Sequence, residues 1–211
     1  MTITEQQLEE NEEHPFEPFV PKDATKLIIG SIPPQRFWKH KNDSNSLLPD
    51  DVNFYYGSCD NSFWSLVGKV YDITFENTNT QSAIEQRKKF LTEKRIGITD
   101  IVGKCSRIKG SAEDKKLLNI KHKDLAQLLK DNPQITTLIY TSDFIKQQVN
   151  KLFNNTYHTI VDKTNRQYKI KINNKVYDVK ILYSPSPNGL RNMGKNGSER
   201  RLRQYQEVLG D

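Results

Sequence analysis

Residues 26–34, Lys-Leu-Ile-Ile-Gly-Ser-Ile-Pro-Pro, constrain the fold most, because they join a buried strand to a segment that cannot extend it. Lys26 to Ile29 is a short apolar run closed by Gly30, the pattern of a strand inside a sheet. Pro33 and Pro34 have no N–H to give to a ladder, so a loop must leave at the strand's C-terminal end. In open α/β sheets, ligands collect at such ends.

The rest of the chain alternates helical and strand patterns. Phe63, Trp64, Val67, Val70 and Tyr71 follow helical spacing and predict a helix over 61–71. A second helix is expected over 82–94, with Ser82 and Glu85 as a capping box and Gly97 just past its end. A third is expected over 117–130, stopped before Pro133. Residues 135–140, Ile-Thr-Thr-Leu-Ile-Tyr, form a second buried strand, and Ser142 caps a helix running to Phe153. From Tyr157 to Tyr183 the period becomes two, giving strands at 157–160, 168–172 and 176–183 with a turn at Asn173-Asn174. Ser198 opens a terminal helix. This order predicts an α/β fold, a three-layer α/β/α domain around a central, mostly parallel sheet. Loops Gly30–Pro34 and Ser184–Arg191 can then meet on one rim. Their Ser, Pro and Gly residues suit a phosphate backbone, which small hydroxyls and bare N–H groups can grip.

A single domain is expected over 25–211, preceded at 1–24 by an acidic tail and a proline-rich strap, His14 to Pro21, lying on the core. Residues 1–21 hold six glutamates and no Lys or Arg, leaving 32 basic against 20 acidic residues in the remainder. A body that basic points to a polyanion, nucleic acid first. Hydrophobic residues make up only 35% of the chain, but nine Phe, nine Tyr and two Trp supply core bulk. No apolar run reaches membrane-spanning length and no signal-peptide pattern opens the chain, so a cytoplasmic monomer is expected, nucleoid-associated if bacterial. Cys59 and Cys105 are too few for a thiolate metal cage, and His14, His40, His122 and His158 lack ligand spacing. Neither metal nor cofactor is expected.

The segment Asn53 to Trp64, Asn-Phe-Tyr-Tyr-Gly-Ser-Cys-Asp-Asn-Ser-Phe-Trp, sets an aromatic wall beside an amide at a helix start. That arrangement can hold a flat heterocycle. It can equally tuck its rings into the core and use Asp60 or Asn61 as a cap.

Four elements in order make the chain resemble the uracil-DNA glycosylase superfamily, nearest to its mismatch-specific and hypoxanthine-DNA glycosylase branches. They are Gly30-Ser31-Ile32-Pro33; Tyr55-Tyr56-Gly57 through Asn61-Ser62-Phe63-Trp64; Gly97-Ile98-Thr99-Asp100-Ile101-Val102 with Cys105, Arg107, Gly110-Ser111 and Asp114; and Ser184-Pro185-Ser186-Pro187-Asn188. The resemblance implies a DNA glycosylase of base-excision repair that hydrolyses the N-glycosidic bond of a flipped, deaminated base, hypoxanthine or uracil, in double-stranded DNA. It implies that Tyr56 stacks on the base and that Asn61 is catalytic. Gly30, Ser31, Ile32, Ser184, Ser186 and Asn188 would line the substrate site. The loop from Asn188 to Gly194 would wedge into the duplex with Leu190, Arg191 or Met193, while Lys195, Arg200, Arg201 and Arg203 would contact phosphates. Phe63 and Trp64 read as core; Asp100 could reach the pocket rim but reads first as a structural loop or cap residue.

Two departures stand out. Many relatives carry Asp or Asn at the position of Ile32, and classical uracil enzymes carry His where Ser184 stands, or Ser186 in the other register. Both fit the hypoxanthine-like branch, or a module that binds DNA or a nucleotide without cutting. An unrelated nucleotide enzyme is disfavoured, because no strand is followed by a P-loop or G-x-G-x-x-G.

Overall fold

The computed structural model describes residues 12–108, 113–153, 158–191 and 193–210. In chain order the elements are β1 (Glu12–Glu13), β2 (Lys26–Gly30), α1 (Gln35–Lys39), α2 (Phe63–Tyr71), α3 (Gln81–Glu93), β3 (Ile96–Asp100), β4 (Val102–Ser106), β5 (Leu118–His122), α4 (Leu125–Asp131), β6 (Thr137–Tyr140), α5 (Asp143–Leu152), β7 (Thr159–Asp162), β8 (Gln167–Ile172), β9 (Lys175–Ile181) and α6 (Gly197–Leu209).

The main sheet has the order β3-β2-β6-β9-β8-β7. The pairings β3/β2, β2/β6 and β6/β9 are parallel, while β9/β8 and β8/β7 are antiparallel. Alternation along β2 divides the core between two faces. Ile28 packs with Phe63, Trp64, Leu91 and Tyr205 from α2, α3 and α6. Leu27 and Ile29 pack with Leu125, Leu129, Ile145 and Val149 from α4 and α5. Helices on both faces of a sheet that is parallel through its first four strands make the expected three-layer architecture.

Parallel pairing also fixes where the strands end. Gly30, Asp100, Tyr140 and Ile181 close β2, β3, β6 and β9 on one rim, so the loops that follow all emerge there. Cross-strand bonds hold this rim: Ile101 N–H donates to Gly30 O, Thr141 N–H to Ile29 O and Leu182 N–H to Tyr140 O, at 2.8, 3.2 and 2.8 Å.

Four local expectations are corrected. The helix expected over 117–130 is two elements, because Leu118 to His122 alternates and pairs antiparallel with β4, and Asp124 then caps α4 by accepting from Gln127 N–H at 2.9 Å. The cap of α3 is Thr80, which accepts from Ala83 N–H, and not Ser82, which lies inside the helix. Gly97 does not end that helix. The left-handed residue there is Arg95, at φ 56°, and Gly97 is a buried member of β3. That strand had no sequence expectation, because Gly97, Thr99 and Asp100 dilute its apolar signal. The strand expected at 157–160 runs over Thr159–Asp162, with Tyr157 outside the described residues.

The strap does lie on the core. Phe19 exchanges two backbone hydrogen bonds with Ile98 on the outer edge of β3, and Phe16 and Phe19 pack against the α2/α3 cluster. This cover blunts the β3 edge against pairing with another chain. Glu12 and Glu13 pair with β4, within a second, three-stranded sheet β1-β4-β5.

Candidate active site

Gly30 is where the site closes most tightly. A Cβ built on it would fall 2.1 Å from Asp100 Oδ1 and 2.3 Å from the Tyr56 hydroxyl, so both groups rest on the bare backbone of β2. The Tyr56 hydroxyl shares a 2.9 Å hydrogen bond with Thr141, which follows β6. Three strand ends thus meet at one phenol. Burial, and then the Asp100 charge, push that phenol's pKa well up, so it stays protonated. Phe63 covers one face of the Tyr56 ring at 4.3 Å and 25°, so what exposure the ring keeps is on its other face and edge.

Tyr56 has φ 55°, a left-handed backbone that a bulky residue adopts only when its surroundings impose it. The turn that holds it is closed by Gly57 N–H to Phe54 O and by Val52 N–H to Gly57 O, and beside that turn is a hub at Asp51, which is fully buried. It takes Arg36 Nε and Nη2 at 2.7 and 2.9 Å, and the N–H groups of Leu48 and Cys59 at 2.9 Å each. Arg36 also reaches Ser58 Oγ at 2.8 Å. Burial alone would raise the Asp51 carboxyl; these donors override it and leave its pKa below the ordinary carboxylate value.

Asn61 caps the start of α2. Its Oδ1 accepts from Phe63 N–H at 2.9 Å, an acceptor role that fixes the amide's orientation and leaves Nδ2 as the donor. The next residue, Ser62, donates through both its N–H and its hydroxyl to Pro185 O, tying the Ser-Pro loop to the aromatic loop. Within the Ser-Pro loop, Ser184 Oγ and Ser186 Oγ are 3.0 Å apart and bonded, so both serines occupy the same turn. Asn188 is exposed at its tip, and Gly189 permits the close return of the chain, since a Cβ there would lie 2.3 Å from Ser184 O.

The remaining sequence candidates separate. Ser31 and Ile32 leave β2 at the rim, where Ser31 O accepts from Val102 N–H, but Ile32 packs into the apolar cluster beneath α4 and α5. Leu190 is half-buried, while Arg191, Lys195 and Arg203 are exposed. Arg200 is exposed yet donates to Met193 O. Arg201 is 6% exposed and donates from Nη1 to Ser184 O at 3.0 Å, a loop support from within and not an outward phosphate contact. Met193 is buried, so it is no outward wedge. Gly110 and Ser111 lie outside the described residues.

Several working residues had no sequence expectation. His14 Nε2 meets Asp100 Oδ2 at 2.7 Å in a buried pair, and Arg107 Nε meets Glu12 Oε2 at 2.9 Å, so the strap supplies partners to two residues at the rim. Arg107 also donates to Pro33 O. Asp100 has one oxygen toward Gly30 and the other toward His14. Beyond His14 lies a cavity of about 560 Å³ between the strap and β5/α4, lined by Phe16, Asp100, Lys121, Lys123 and Leu128. Lys123 there donates to Phe16 O at 2.6 Å, and burial lowers its pKa to about 8. None of residues 53–64 or 184–188 lines this cavity. Among the described residues no group of three or more His, Cys, Asp or Glu side chains converges to hold a metal.

With this geometry in place, the comparison with known proteins is informative. A solution NMR structure from Methanosarcina acetivorans, described as a putative uracil DNA glycosylase, superposes with a TM-score of 0.58. The match covers 93% of this chain and 98% of that one, at 20% sequence identity. The chain has a uracil-DNA-glycosylase-like fold. No family model and no curated protein matches it. In the glycosylase-like fold found here, the Gly30, Tyr56, Asn61 and Ser184 elements all belong to one rim.

Proposed function

We propose that the protein is a monofunctional DNA glycosylase that binds duplex DNA as a monomer and hydrolyses the N-glycosidic bond of a flipped, deaminated base, hypoxanthine or uracil. The observation that carries this reading is the Asn61 amide. Its oxygen is spent on the N–H of Phe63, whose ring stacks on the half-buried Tyr56, and its Nδ2 is left to donate. Base loss leaves negative charge on the departing heterocycle, and a fixed donor aimed there lowers the barrier. Tyr56 stacks on the base. Gly30 gives Asp100 and the Tyr56 hydroxyl their room, Ser31 borders the base, and the Ser184–Asn188 turn holds the flanking phosphates. Arg191, Lys195 and Arg203 supply the salt-sensitive backbone contacts, and Leu190 fills the gap the flipped base leaves.

A binding module without hydrolysis is the second reading. Ile32, an apolar side chain half-buried against the α4/α5 cluster where many glycosylases carry a polar residue, favours it. Incubation with duplexes carrying uracil, hypoxanthine, xanthine or a G·T mismatch, followed by alkaline cleavage at abasic sites, separates the two. Cleavage on any of these supports the enzyme, and tight binding without cleavage supports the module.

A further inference from the structure

The cavity beneath the strap is lined by none of the Tyr56, Asn61 or Ser184 elements, so the base-releasing rim does not account for it. At about 560 Å³ it falls within the roughly 300–1,000 Å³ typical of small-molecule sites. Its walls are largely apolar. Phe16 comes from the strap, Ile29 and Ile101 from the ends of β2 and β3, and Leu125 and Leu128 from α4.

Most charged groups around the cavity are already matched. Glu13 pairs with Lys104, and Asp100 with His14. Asp124 accepts from Gln127 N–H, Asp131 accepts from Gln127 Nε2, and His122 bonds Gln148. Glu17 lines the cavity but is exposed to solvent, as is Lys121. Lys123 differs from all of these. It is half-buried, and its Nζ donates to neutral oxygens, Phe16 O at 2.6 Å and the Tyr55 hydroxyl at 3.4 Å. Among the described residues no carboxylate lies within ion-pairing distance of it. An ammonium has three N–H donors, so one is left for a ligand.

We infer that this cavity is a binding site for a small organic acid, with its carboxylate on Lys123 and its apolar body against Phe16, Leu125 and Leu128. Taking an ammonium out of water without a counter-ion is unfavourable, and an anion entering the cavity removes that penalty. One available donor among apolar walls suits a single carboxylate on an apolar body. A phosphate dianion needs more donors than Lys123 has left. The site goes beyond the glycosylase reading and does not depend on it.

The electrostatics of the site agree with its geometry. Burial lowers the Lys123 pKa to about 8, and the charges of Asp100 and Glu17 oppose this only in part. That is the direction a buried amine takes when no close carboxylate offsets the loss of water. The backbone around it is fixed, since Lys123 N–H donates to Ile101 O at 3.0 Å. An acid held there would touch the strap and α4 together, and so bridge the two.

The test is isothermal titration of the full chain with cinnamate and with octanoate. Cinnamyl alcohol serves as the neutral counterpart, and inorganic phosphate as an anion without an apolar body. Wild type is expected to bind at least one of the acids saturably, one per chain, and more tightly than phosphate. Its margin over the alcohol should be about tenfold to a hundredfold, the worth of a charge-assisted hydrogen bond. Lys123→Met, which keeps the bulk of the stem, should lose that margin and bind the alcohol as before. Lys121→Met should keep it. Leu128→Glu, at a half-buried wall position, should abolish acid binding, and it decides the matter if Lys123→Met does not fold. Undiminished acid binding by Lys123→Met or by Leu128→Glu overturns the inference. So does an equal loss in Lys121→Met, equal affinity for acid and phosphate, or no saturable binding of either acid by wild type.

Discussion

Ser62 donates twice to one acceptor: its N–H and its hydroxyl reach the carbonyl oxygen of Pro185 at 3.0 and 2.8 Å. The two residues stand 123 apart in the chain. This clamp sets the Ser184–Asn188 turn in register with Asn61 and Tyr56. Ser62→Ala keeps the N–H bond and loses the other, at a cost of about 1 kcal/mol in stability. Base release by the folded variant should fall about tenfold, because the turn loses its position. Thermal unfolding and single-turnover rates measure the two effects, and an unchanged rate would show that the clamp is structural only.

Tyr56 should matter through its ring. Its hydroxyl is engaged by Thr141, and Phe63 covers only one face of the ring. Tyr56→Phe should keep most activity and lose about 1 kcal/mol of stability through the lost bond to Thr141, whose hydroxyl keeps its contact with Ile29 O. Tyr56→Ala should lose about tenfold to a hundredfold, the worth of one stacked base. Equal losses from the two variants, compared in the same assay, would assign the work to the phenol.

His158 gives a pH dependence with a definite sign. It is buried between Tyr140, at 3.2 Å, and Asn150 Oδ1, at 2.8 Å. Burial, helped by the Lys146 charge, lowers its pKa to about 4 from an ordinary 6.5. Between those values the unfolded chain takes up a proton that the folded chain refuses, so stability declines as pH falls from 6.5 toward 4. Denaturant unfolding at pH 7, 5.5 and 4.5 should show that decline. In His158→Gln the slope should be shallower over the same range, and an identical slope would exclude His158 as its source.

How much of this was legible follows from the kind of signal each residue left. Lys26–Gly30 with two prolines was readable because a buried strand and a missing N–H are both local facts. The Tyr56, Asn61 and Ser184 elements were legible as candidates by residue type, and the fold brings them to one rim. The β3 strand was not readable. Its polar residues are tolerated only because Asp100 has His14 from the strap, a partner that spacing does not reveal. Arg201 misled for a similar reason. It sits among exposed basic residues in the sequence, but helical periodicity turns it inward to Ser184 O. The capping role of Asn61 was legible, but which amide atom remained for chemistry depended on a 2.9 Å contact.

The exposed basic residues now allow a sharper prediction for DNA. Arg191 and Lys195 point outward beside the Ser-Pro turn, whereas Arg201 does not. If each of the two neutralises one phosphate, Arg191→Ala with Lys195→Ala should flatten the plot of log affinity against log salt by about 1.8, at roughly 0.9 per phosphate. Arg201→Ala should instead lower stability and leave the slope alone. The reverse pattern would move the DNA contact elsewhere on the surface.

The central claim is that Asn61 donates to the departing base, and one comparison tests it most directly. Asn61→Asp preserves the contact with Phe63 N–H, because a carboxylate oxygen accepts as the amide oxygen does, but it has no donor to replace Nδ2. Single-turnover release is measured for wild type and this variant on duplexes carrying hypoxanthine or uracil, with binding measured in parallel. The account predicts that wild type leaves an alkali-labile abasic site, and that Asn61→Asp is still folded and binds the duplex but releases base about 10²–10³-fold more slowly. Release by Asn61→Asp at the wild-type rate, or tight binding by wild type with no release from either duplex, would contradict it.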